Sequence, residues 1–137
     1  MEESLTALLL AYSPLTALVG TNPTRVYWMR APQNVAEPFV VLQVISSVPD
    51  VTHQGPSGLV PARVQVDCYS DTYASAKTVA RAITTCLSGY KGTPTPPGTI
   101  TFDGVFKDAE RDQYEPEDSP DKLFRVSMDF IIWHKGA

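Results

Sequence analysis

The chain of 137 residues is long enough for one domain that buries about two thirds of its unfolded surface, and 43% hydrophobic residues exclude a wholly disordered chain. Eleven basic against fifteen acidic residues give a net charge of −4, without the basic footprint needed to hold nucleic acid. Two cysteines, Cys68 and Cys86, exclude a disulfide framework and read as small buried hydrophobes in a reducing compartment. No run approaches the roughly 18 apolar residues of a membrane span. The apolar stretch Leu5 to Ala11 follows two glutamates rather than a basic segment, so a soluble intracellular chain without membrane contact is expected.

In chain order, residues 2–12 form a helix candidate. Glu2 and Glu3 sit at its dipole-favoured end, and Leu5, Leu8, Leu9 and Tyr12 make its apolar stripe. Ser13-Pro14 interrupts it and opens a second short piece that Gly20 ends, giving a two-part N-terminal helix. Pro23, Pro32 and Pro38 forbid a long helix in the next stretch, where Arg25-Val26-Tyr27-Trp28 reads as a short extended piece. Phe39 to Val48 reads as a strand apolar on both faces except at Gln43, and Ser46 to Pro61 as a long irregular connection.

The organising stretch runs from Gly55 to Tyr90. Its strand, Arg63 to Tyr69, puts Val64, Val66 and Cys68 on one face and Arg63, Gln65 and Asp67 on the other. Ser70-Asp71 offers a helix cap, and Tyr73, Ala76, Ala80, Ile83, Leu87 and Tyr90 then form a helical stripe. Lys91 to Gly98 is a proline-rich turn. Strands follow at about 99–111 and 123–134, the last alternating Phe124, Val126, Met128, Phe130 and Ile132 against Arg125, Ser127 and Asp129. Between them the acidic, proline-broken segment 112–122 reads as a solvated loop. The expected architecture is one α+β domain over residues 1–137, with a mainly antiparallel sheet of about four strands and two helices packed on one face.

The polar strand face repeats one order, Arg63-Gln65-Asp67 and Arg125-Ser127-Asp129, which cross-strand charge pairs on a solvated face explain. A polar wall toward a partner or channel is the sharper reading, and Trp133 shares that face, where aromatic residues favour contact. No catalytic or metal motif accompanies it. His53 and His134 lack partners at metal-ligand spacing, the cysteines are not paired in sequence, and Gly55-Pro56-Ser57-Gly58 is a turn rather than a phosphate cradle. The carboxylates of 108–121 lack the burial that separates an acid from a base.

The segments Gly55-Pro-Ser-Gly-Leu, Ala62-Arg-Val-Gln-Val-Asp-Cys-Tyr and Thr72-Tyr-Ala-Ser-Ala-Lys resemble the tail completion family of long-tailed bacteriophages and gene transfer particles. So do Glu2 to Gly20, Arg25-Val-Tyr with Pro32-Gln33 and Pro38, Glu110 to Glu117, and Leu123 to His134. The resemblance implies a non-enzymatic tail terminator without cofactor or metal. Its copies would form a ring, hexameric in that family, that caps the tail tube protein and joins the head connector or stopper protein. DNA would pass through without specific binding.

Candidate subunit or partner contacts are Gly55, Pro56, Ser57, Gly58, Arg63, Asp67, Arg111, Tyr114, Glu115, Glu117, Arg125, Asp129 and Trp133. The competing readings are a head-side stopper or adaptor, a small metal-dependent hydrolase using His53, His134 and the acidic segment, and an adaptor that binds peptides at a sheet edge.

Overall fold

A computed structural model describes residues 2–20, 24–32, 36, 38–47, 51–52, 55–56, 59–92, 100–114 and 124–135. The N-terminal helix is in two parts, as its Ser-Pro interruption requires: α1 (Glu2–Leu10) and α2 (Ser13–Val19), with Pro14 in the first turn of α2. Gly20 closes α2 at φ +84°, a left-handed conformation that glycine adopts without a Cβ penalty. Then come β1 (Val26–Trp28), β2 (Phe39–Ser47), β3 (Val51–Thr52), β4 (Gly55–Pro56), β5 (Leu59–Ser70), α3 (Tyr73–Leu87), β6 (Phe102–Tyr114) and β7 (Phe124–Lys135).

The five-stranded sheet has the order β1-β2-β5-β7-β6, while β3 and β4 form a separate two-stranded ladder. The α+β class is as expected, and the sheet is mixed: β1 runs parallel to β2, and the remaining pairs are antiparallel. Because β5 and β6 are both antiparallel to β7, they run in the same direction, and α3 connects them across the sheet.

All three helices serve one sheet face. Val64, Val66 and Cys68 of β5, Val126, Met128, Phe130 and Ile132 of β7, and Val40 and Leu42 of β2 meet Ala76, Val79, Ala80, Ile83 and Leu87 of α3. Leu5, Leu9, Leu15 and Val19 complete the layer from α1 and α2. Arg25 brackets the N-terminal half: its Nε donates to Pro38 O at 2.9 Å and its Nη2 to Leu18 O at 2.8 Å, near the carbonyl end of α2, where a cation is favoured. Trp28 Nε1 donates to Thr6 Oγ1 at 2.8 Å and ties β1 to α1.

Five local expectations change. The cap of α3 is Thr72, whose hydroxyl accepts from Ser75 N at 3.2 Å, one residue beyond the Ser70-Asp71 pair. The connection from Ser46 to Pro61 is not irregular throughout, since it carries the β3–β4 ladder and β5 already begins at Leu59. Residues 112–114, read as the start of a solvated loop, continue β6, where Asp112 finds Lys77 and the Tyr73 hydroxyl rather than only water. Tyr73 belongs to no core: it is exposed, and its hydroxyl donates to Asp112 Oδ2 at 2.7 Å. Cys68 is buried as expected, whereas Cys86 is only half-buried.

Candidate interaction surface

The strand period that buries one sheet face turns the other away from every helix. The register places Arg63, Gln65, Asp67 and Tyr69 of β5 beside Ile131, Asp129, Ser127 and Arg125 of β7, and Phe106, Ala109, Arg111 and Gln113 of β6 beside the same β7 residues. A hydrogen-bonded chain links the polar side chains Arg63, Asp129, Arg111, Ser127, Asp67 and Gln65. Arg63 Nη2 lies 2.8 Å from Asp108 Oδ2, and its Nη1 lies 3.2 Å from Asp129 Oδ2. Arg111 reaches both Asp129 oxygens at 3.4 Å and Ser127 Oγ at 3.2 Å. Ser127 donates to Asp67 Oδ1 at 2.5 Å, and Gln65 Nε2 donates to both Asp67 oxygens. Hydrogen bonding to Asp108 pushes the Arg63 guanidinium further toward its charged form.

Among the described residues the repeated Arg-polar-Asp order therefore yields the diagonal ion pair Arg63–Asp129 without an equivalent Arg125–Asp67 pair. Asp67 faces Ser127, and Arg125 turns to Tyr69, donating to its hydroxyl at 3.3 Å, and to Gln113. Tyr69 in turn stacks on Phe39, ring centroids 4.9 Å apart.

One end of this face is apolar. Trp133 pairs with Pro61 on one side and Gly104 on the other, and Ile131 pairs with Phe106. A Cβ on Gly104 would stand 3.0 Å from Phe106 Cε2, so the glycine leaves the space in which that ring lies against the strand.

On the helical face of β6, charge replaces the apolar pattern beyond Val105. Lys77 of α3 lies 2.5 Å from Glu110 and 3.0 Å from Asp112, and Lys107 lies 2.5 Å from Glu110. The lysine hydrogen bonds hold the Glu110 carboxyl below its ordinary value, Lys107 contributing most; Tyr73 and then Lys77 do the same for Asp112. Lys77 is shifted upward by the same bonds. Inward-facing charge of this kind protects an edge strand from uncontrolled pairing.

Of the sequence candidates, Arg63, Asp67, Arg111, Arg125 and Asp129 come together on the bare face, with Trp133 at its apolar end. Gly55 and Pro56 lie apart in β4, and Tyr114 ends β6 opposite Phe124. Ser57, Gly58, Glu115, Glu117 and His53 lie outside the described residues. Phe106 and Asp108 were missed because register shifts between Phe102 and Gly104 and between Lys107 and Ala109 break the alternation; the Asp103-Gly104 pair was the available signal.

His134 sits buried on the core face at the end of β7, not toward a metal site, and burial lowers its tendency to protonate. Among the described residues, no group of three or more His, Cys, Asp or Glu side chains could hold a metal ion, and no helix is long and apolar enough to cross a membrane.

The family model described as tail completion protein gp17 matches residues 3–135. The chain belongs to that family. It is a structural protein of tail assembly rather than an enzyme. Its fold is also similar to that of a chain in the virion of a native gene transfer agent (GTA) particle, with a TM-score of 0.75 and 20% identity. That match covers 99% of this chain and 95% of the other. No curated protein sequence matches the chain.

Proposed function

We propose that the protein terminates a phage-like tail: copies of it close into a ring, hexameric in the reading from resemblance, on the head-proximal end of the tail tube. The ring stops elongation, supplies the joint to the head connector or stopper protein, and stays in the finished particle at that joint. The observation that carries this reading is the family match over residues 3–135. The likeness to a chain of a gene transfer agent virion is consistent with a place in a particle.

The bare sheet face suits assembly. Among the described residues its central ions are mutually paired and present no unopposed basic stripe, so phosphates would find no clustered counterions there to displace. Subunit and partner contacts fall to the sequence candidates on this face and to the connection around Gly55 to Gly58 and the acidic segment with Glu115 and Glu117. Particles assembled without the protein test the reading: tails of uncontrolled length and unjoined heads are expected. Tails of normal length with defective heads would instead identify a head-side stopper.

A further inference from the structure

Among the described residues, two of the most exposed large hydrophobic side chains stand at opposite edges of the same sheet: Met29, 66% exposed, just past β1, and Phe106, 57% exposed, on β6. Each is held out by a specific local device. Met29 has φ +71°, and Arg30 N donates to Trp28 O across it at 2.8 Å, giving a three-residue turn of the strained positive-φ kind. Phe106 lies over Gly104, whose missing side chain makes room for the ring.

Beside Met29 an open cavity of about 530 Å³ is lined by Tyr27, Trp28, Arg30, Ala31 and Pro32, ample for one benzyl side chain. The two edges also differ in charge. β6 carries Asp103, Asp108, Glu110 and Asp112 against Lys107 and Arg111, while residues 24–32 carry Arg25 and Arg30 and no acid. Arg25 is engaged with carbonyls, whereas Arg30 is exposed and, like Asp103, has no partner among the described residues.

We propose that the β6 edge of one copy docks on the β1 edge of the next, with Phe106 entering the cavity beside Met29 and Asp103 pairing with Arg30. This contact rests on the reading that copies close into a ring. Patch and cavity are different surfaces of one chain, so the contact is head-to-tail, the kind that generates rings. Side chains rather than a continued ladder make it, because the start of β6 is already covered: Gly89 N donates to Val105 O, and Gly92 and Phe102 exchange backbone bonds.

The test is cross-linking on capped tails with a short bis-maleimide. Cys68 is buried, and burial pushes the Cys86 thiol up to about 11, which keeps the background low. The Met29→Cys/Phe106→Cys variant should give a ladder of oligomers. Either single variant alone should stay monomeric, and the two mixed should give a dimer. Charge reversal supplies a second readout: Arg30→Glu should require about tenfold more protein for half-capping, and adding Asp103→Arg should recover most of it. Capped tails yielding only monomers, cross-links to the tube protein instead, or no recovery in the reversed pair would overturn the contact while leaving the ring reading intact. If the unsubstituted chain fails to cap tails, the ring reading falls and takes this contact with it.

Discussion

Ser127 donates its hydroxyl proton to Asp67 across the β5–β7 pair at 2.5 Å, and both side chains are buried although they stand on the helix-free face of the sheet. Arg111 covers the pair from β6 and donates to the same hydroxyl. The bare face thus has a buried polar centre, built from its own long side chains, and the carboxylate there depends on neutral donors.

Ser127→Ala removes a donor from a carboxylate that is only 7% exposed. A hydrogen bond to a charged group is worth about 1.5–3 kcal/mol, and the loss should appear at that size in urea unfolding. Ser127→Thr, which keeps the hydroxyl, should retain most of the stability. A loss below about 0.5 kcal/mol in Ser127→Ala would mean that solvent already satisfies Asp67.

Arg25 joins the end of α2 to the entry of β2 through two carbonyl hydrogen bonds. Arg25→Ala should cost about 1–3 kcal/mol, because both carbonyls lose a charged donor. Hydrogen exchange should show the amides of residues 13–19 and Val40 opening first, since Val40 N bonds to Arg25 O.

Phe130 is fully buried at the centre of β7. Phe130→Ala should destabilise by about 3–5 kcal/mol through lost transfer energy and the cavity left behind. Phe106→Ala, removing an equally large ring from the surface, should fall within about 0.5 kcal/mol of the parent. The contrast separates a packing phenylalanine from one reserved for contact.

Acid should weaken the attachment of α3 to β6. Glu110 and Asp112 are both held below their ordinary values of 4.5 and 3.8 by Lys107, Lys77 and Tyr73. The unfolded chain therefore takes up protons first as pH falls. Their contribution is complete above about pH 4.5 and is lost as pH drops through the lower folded values. Lys77→Met should flatten that part of the stability–pH curve. His134, also depressed, by burial, acts at higher pH: its contribution is complete above 6.5 and is lost as pH falls through its folded value. His134→Phe should remove that upper slope and leave the acid limb.

The parts legible from sequence were those where one period ran unbroken. β7 alternates without interruption, so its two faces, and Trp133 beside Asp129 and Arg125, could be assigned residue by residue. The Ser-Pro break between α1 and α2 was legible from local chemistry, since proline fits the first turn of a helix and not its interior. What was missed came from interruptions and tertiary pairing. Two register shifts in β6 moved Phe106 and Asp108 to unexpected positions. The three-residue β1 is too short for a period to reveal its parallel pairing. Tyr73 fits a helical stripe by spacing, yet its hydroxyl finds Asp112 on a strand that sequence distance hides.

The most direct test of the central claim is to add the purified protein to tail tubes during growth and measure their lengths by negative-stain electron microscopy. Elongation should stop on addition, with a ring of density at one end only of each arrested tube. Tubes that keep growing and carry no terminal ring at saturating protein would contradict that claim.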